Sequence, residues 1–142
     1  FTPSVNLYFA LEAALDMMEE EGLESIFERH ARHAAATQAG IKAMGLPLFA
    51  KEGSGSPAIT AVAPENIDAE ELRKIVKEKF DILLAGGQDH LKGKVFRIGH
   101  LGFVNDRDVL TAIGAIEASL QKLNLLNNEM GSGIAATAKM LK

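Results

Sequence analysis

Four short apolar runs, "LPLFA", "AITAVAP", "DILLAGG" and "VFRIG", are set along this chain between stretches whose apolar side chains return every three or four residues. A period near 3.6 marks a helix with one buried face, and a short apolar run bounded by glycine or proline marks a strand. The alternation restricts the fold more than any other feature. With no internal repeat, it predicts an α+β layer sandwich: a small, mostly antiparallel sheet of about four strands covered by helices.

The helical segments carry their own boundaries. From Ser4, the residues Tyr8, Leu11, Leu15 and Met18 fall at helical spacing, with Pro3 suited to a first turn and Gly22 to a stop. A second helix is expected from Leu23 to about Met44, with Ile26, His30, His33, Thr37, Ile41 and Met44 on one stripe and Gly45 ending it. Asp68 and Glu71 form a D-x-x-E capping box ahead of Leu72, Ile75, Val76 and Phe80. Asn105 and Asp108 open a further helix, whose Val109, Ile113, Ile116, Leu120 and Leu123 repeat at heptad spacing. "NNEMGSG" breaks that helix and "IAATAKMLK" forms a last short one, while "KEGSGSP" reads as a polar loop.

At 142 residues the chain suits one core, and 47% hydrophobic with 24% charged residues is ordinary for a globular protein. The opening "FTPSVNLYFALEAAL" runs straight into structure, which reads as a piece of something longer. A formal charge of −4 with scattered basic residues disfavours nucleic acid as a partner. No apolar run reaches the roughly 20 residues that cross a bilayer, so no membrane span is expected, and a cytoplasmic location is the default. Zero cysteines remove disulfides, thiolate catalysis and thiolate-held metal centres together.

Candidate chemistry is sparse. His30 and His33 stand three apart on one helix, a spacing that can grip a metal, but metal ligands come in sets of three or four and no third is near. The pair is read as packing or local hydrogen bonding, so no metal site is assigned. His90 and His100 have no partner that the sequence identifies. "AGGQ" (Ala85 to Gln88) lacks the G-x-G-x-x-G spacing of a phosphate loop and reads as a turn. The acidic run Glu19 to Glu21 reads as a solvated helix end. Every lysine has a polar context, whereas a Schiff-base lysine needs a desolvated pocket. Arg97 remains, alone inside "KVFRIGHLGF". Alternation puts Val95, Arg97 and Gly99 on one strand face and Phe96, Ile98 and His100 on the other. A guanidinium offers a two-pronged fork that matches a carboxylate. From these residues alone, Arg97 is either solvent-facing, paired internally, or a ligand-binding group.

The opening T-P-x-V-x-x-x-Y/F-A-L pattern, the segment "GKVFRIGHLGF" and the closing "GSGIAATAKML" resemble the C-terminal part of class V aminotransferases, over the chain from first residue to last and in order. These are fold-type I pyridoxal-phosphate enzymes of the alanine–glyoxylate and serine–glyoxylate type. The resemblance implies a large domain, outside this chain, that carries the cofactor and its Schiff-base lysine; this chain then holds no catalytic residue of its own. It implies that residues 1–22 are an inter-domain helix and 23–142 the small C-terminal domain. Arg97 then binds the α-carboxylate of a small amino acid or keto acid, and Thr2 contacts the pyridoxal 5'-phosphate of the other subunit of a homodimer. His100 departs from the family, whose members often carry an aliphatic residue there; alternation sets it on the face away from Arg97. Some relatives from photosynthetic bacteria carry the label of a soluble hydrogenase small subunit. A redox-complex subunit without its own metal site, or a free-standing small-molecule-binding module, therefore stay as alternatives.

Overall fold

The computed structural model describes residues 2–142. Its elements are α1 (Val5–Glu21), α2 (Leu23–Ala43), β1 (Ile59–Val62), α3 (Ala69–Phe80), β2 (Ala85–Gly86), β3 (Phe96–Gly99), α4 (Asp106–Lys122) and α5 (Ser132–Met140), with a 3-10 turn at Asp89–Leu91. The sheet runs β1-β3-β2, antiparallel throughout, so β3 is central. The α+β sandwich is as expected, but the sheet has three strands, not about four. "LPLFA" contributes a single bridge, Leu48 to Val62. Pro47 has no N–H to donate; its carbonyl accepts Ala63 N–H just past β1, and Phe49 N–H donates to the Ala61 carbonyl at 2.9 Å. "DILLAGG" likewise narrows to its last apolar pair, Ala85–Gly86.

One face of the sheet turns inward. Phe96, Ile98 and Val62 are buried there against Leu72 and Val76 of α3, Ile113, Ile116 and Leu120 of α4, and Ile41 and Met44 of α2. The stripe on α2 is buried from His30 to Met44, with Ile26 half-buried. Gly40 sets how closely α2 approaches α5: a Cβ there would overlap the Thr137 hydroxyl and lie 3.2 Å from the Gly133 carbonyl. The acid Glu117 of α4, wholly buried, accepts the Gly133 N–H at 2.8 Å and so closes the start of α5.

The two expected caps differ. Asn105 and Asp108 close a complete capping box on α4. On α3, Asp68 accepts from Glu70 N–H at 2.8 Å, yet Glu71 returns no bond. The box is half closed. α1 stands apart from the core: its large apolar side chains all stay exposed, and none of its residues is fully buried.

Candidate functional site

Arg97 lies in the middle of the central strand, flanked by Ala61 of β1 and Ala85 of β2. Its strand neighbours Phe96 and Ile98, and His100 just beyond, are buried on the inner face, so Arg97 and Gly99 share the outer one. The small flanking residues leave that face low, and a Cβ built on Gly99 would meet nothing within 4 Å. The guanidinium is half-buried and gives one hydrogen bond, Nε to the Gly86 carbonyl at 3.0 Å. It forms no ion pair among the described residues. Arg29, Arg32 and Arg73, by contrast, are each paired with a carboxylate: Glu21, Asp106 and Glu70. Arg107, also without an ion pair among the described residues, sits exposed in the first turn of α4. Arg97 alone combines partial burial in the sheet with two terminal nitrogens that have no described partner. That leaves four N–H donors facing outward in a fixed fork.

The aim of the fork is set from beneath. On α3, Arg73 gives Nε to the Leu84 carbonyl at 2.8 Å and Nη1 to Glu70 Oε2 at 2.6 Å, pinning β2 to the helix. A Cβ on Gly86 would come within 2.6 Å of Arg73 Nη1 and 2.9 Å of Glu70 Oε1. Only glycine lets the pinned pair lie this close under the carbonyl that holds Arg97. The turn expected at Ala85 to Gln88 is therefore half right: Ala85–Gly86 is strand, and the turn follows. Sequence reasoning missed Glu70, Arg73 and Gly86; the E-x-x-R spacing ahead of a Gly-Gly pair was the available signal.

The other candidates resolve into structure. His30 Nδ1 lies 2.8 Å from the Ile26 carbonyl, and His30 Nε2 accepts the Gly102 N–H at 3.0 Å. His33 Nε2 lies 2.8 Å from Asp106 Oδ1. This bond, with Arg32 beside it, holds the Asp106 carboxyl below the usual range. Among the described residues no three His, Cys, Asp or Glu side chains converge to hold a metal. His100 is buried, bonded to Thr60 Oγ1 at 2.9 Å, and burial pushes its pKa down against a contact with the Pro57 carbonyl. Glu21 is more than a solvated helix end, because the Arg29 guanidinium grips it and lowers its pKa. All ten lysines are exposed, with no desolvated pocket around any of them. Thr2 is exposed ahead of α1, and no hydrogen bond joins it to Arg97. No helix among the described residues is long and apolar enough to cross a membrane.

No family model matches the chain. A protein named "Soluble hydrogenase, small subunit" from Synechococcus is 58% identical over 141 residues, covering 99% of this chain and 37% of that protein. A serine–glyoxylate aminotransferase of Arabidopsis thaliana is 40% identical over 144 residues, 100% of this chain and 36% of its own length. The crystal structure of pyridoxamine–pyruvate aminotransferase from Mesorhizobium loti superimposes with a TM-score of 0.88 at 33% identity, over 99% of this chain and 36% of that one. The chain thus spans little more than a third of the length of these relatives. In sequence and in fold the chain is similar to the C-terminal part of class V aminotransferases.

Proposed function

We propose that this chain is the small-domain portion of a pyridoxal-phosphate-dependent aminotransferase, in which Arg97 binds the substrate carboxylate. The whole protein would move an amino group between a small amino acid, alanine or serine, and a 2-keto acid, glyoxylate or pyruvate. The observation that carries this reading is the state of Arg97: half-buried at the centre of the sheet, oriented through Nε, and without a carboxylate of its own among the described residues. An α-carboxylate fits the two remaining nitrogens as a charge-assisted, two-pronged pair. Binding both oxygens fixes the plane of the carboxylate, so that one further anchor, at the amino group, suffices to orient the Cα–H bond.

The residues present suit a shared cofactor site. Thr2 offers an exposed hydroxyl that can donate to a phosphate oxygen of the cofactor held by the partner subunit of a homodimer. When bound, the cofactor supplies the electron sink for the chemistry at Cα. None of the exposed lysines here is suited to anchor it, and on this reading that lysine belongs to the other portion of the protein. Residues 1–22 are read as the helix joining the two portions and 23–142 as the small domain. The exposed apolar face of α1 supports that division. A cytoplasmic location goes with this reading.

Arg97→Ala in the complete protein should raise KM for alanine or serine by roughly 30- to 1,000-fold, the loss of about 2–4 kcal/mol for a charge-assisted fork. Arg97→Lys should recover part of it, since a point charge replaces the fork. An unchanged KM in Arg97→Ala overturns the assignment.

The hydrogenase names on relatives at 58% and 54% identity favour a second reading, a subunit of a redox complex. Lacking cysteine, this chain offers such a complex no thiolate ligand. Co-purification of the complete protein with a metal-bearing partner, together with absence of transaminase activity, would support it.

A further inference from the structure

Residues 29–33 of α2 read Arg-His-Ala-Arg-His, and all four polar side chains reach one short segment between the end of β3 and the start of α4. Arg29 and His30 hold the backbone of Gly102 from both sides. Arg29 Nη1 donates to the Gly102 carbonyl at 2.9 Å and to the Val104 carbonyl at 3.1 Å. Its Nε and Nη2 meanwhile grip the two oxygens of Glu21, the last residue of α1. His30 Nε2 accepts the Gly102 N–H. Gly102 itself has a φ of +89°, a left-handed conformation that glycine tolerates, and open space where a Cβ would go.

The protonation state of His30 follows from its partners. The Ile26 carbonyl can only accept, so Nδ1 carries a hydrogen; the Gly102 N–H can only donate, so Nε2 carries none. One neutral tautomer satisfies both bonds. A second proton would sit on Nε2 and face the Gly102 N–H, turning an attraction into a repulsion. His33 differs: its Nε2 faces a carboxylate oxygen of Asp106, and an added proton strengthens that bond. The charged and titratable groups around His30 are Glu20 and Glu21 of α1, Arg29, Arg32 and His33 of α2, His100 beyond β3 and Asp106 of α4.

We propose that Arg29 and His30 are a positioning pair that fixes the exit of the Arg97 strand at Gly102, and that the hold lasts only while His30 is neutral. This rests on the carboxylate reading of Arg97. The pair touches no substrate; it acts through the backbone three residues beyond β3, and through Glu21 it ties that backbone to the end of α1.

The test uses the complete protein with its cofactor. KM and kcat for alanine or serine are measured from about pH 8 to about pH 5, the span in which histidine changes charge, in wild type, His30→Gln and Arg97→Ala. Glutamine offers an acceptor near the Nε2 position that does not titrate. Amide hydrogen exchange of peptides covering residues 101–105, corrected for intrinsic rates, is followed at both ends of the range. The expected result is a rise in wild-type KM on acidification about 3- to 10-fold larger than in His30→Gln, with kcat changing alike in both. Exchange at 101–105 should accelerate in acid in wild type only. Parallel KM profiles and exchange in wild type and His30→Gln, with Arg97→Ala still impaired, overturn the pairing alone. An Arg97→Ala KM equal to wild type at every pH overturns the carboxylate reading instead. If His30→Gln does not fold, exchange in wild type decides: no acid loosening of 101–105 beyond that of the neighbouring segments overturns the proposal.

Discussion

Helices α1 and α4 are both 17 residues long, and both are rich in apolar side chains. They end in opposite situations. α4 puts Val109, Ile113, Ile116 and Leu120 into the core and, apart from the buried Glu117, keeps its charges outside. α1 has no fully buried residue, and Leu7, Tyr8 and Phe9 remain 69%, 66% and 64% exposed. The arrangement of apolar residues explains the difference. On α4 they form one stripe, which a single neighbouring face can cover. On α1 they occur on nearly every side, with Leu7, Tyr8, Phe9 and Leu11 following one another round the axis. A helix of that kind is normally enclosed. α4 is thus a helix whose partners lie within this chain, and α1 one whose partners, on the proposed reading, lie outside it.

The sharpest way to break that comparison is to remove one large side chain from each. Ile116→Ala should lower the unfolding free energy of the 142-residue chain by about 2–5 kcal/mol, because it empties a fully packed site. Phe9→Ala in the same chain should change it by no more than about 0.5 kcal/mol, the usual range for an exposed position. In the complete protein the two should converge, with Phe9→Ala costing about 3–5 kcal/mol once the helix is covered. Urea midpoints of both variants in both lengths decide the matter. A Phe9→Ala that is silent in the complete protein removes the case for α1 as an inter-domain helix.

Gly40→Ala probes the packed side of the comparison without deleting anything. Alanine is worth about 1 kcal/mol more than glycine inside a free helix, so propensity alone predicts a gain. The site predicts a loss. The new methyl would collide with Thr137, which is itself bonded to the Gly133 carbonyl at 2.9 Å, and with Ile113 at 3.2 Å. Overpacking of this sort costs about 1–3 kcal/mol. A net loss of stability in thermal melts is expected, and a rise would mean that α2 and α5 are less closely set than described.

How much of this was legible in the chain depends on the range of the interaction. The stripes on α2 and α4 and the stop at Gly22 are local, and periodicity and turn chemistry expose them. Arg97 on the face opposite His100 is equally local, since strand alternation decides it. The failures have longer reach. "LPLFA" has strand composition, but whether it pairs depends on which of its N–H groups meets β1, and Pro47 has none to give. His30 and His33 resemble a two-ligand metal spacing until their partners appear 72 and 73 residues away, at Gly102 and Asp106. The support of Arg97 through Gly86 depends on α3 passing beneath β2, a packing that the nearby spacing of Glu70, Arg73 and Gly86 hints at but does not fix.

The smallest test concerns the helix starts, and it separates capping from packing. Asn105 accepts from Arg107 N–H and Asp108 N–H at 3.0 and 3.2 Å, and Asp108 returns a bond to Asn105 N–H at 3.0 Å. Ser4, in the same position on α1, makes no side-chain bond to its helix. Asn105→Ala should therefore cost about 0.5–2 kcal/mol, whereas Ser4→Ala should leave the melting midpoint of the 142-residue chain unmoved. The reasoning has a second arm. Arg32 and His33 hold Asp106 to α2, so α4 keeps one attachment when its cap is gone, and the cost of Asn105→Ala should fall toward the lower figure. Combining it with Asp106→Ala should then cost more than the sum of the two single changes, since the pair shares the job of holding one helix start. Strict additivity would mean that cap and anchor act on separate parts of α4, and that the attachment to α2 contributes nothing to where the helix begins.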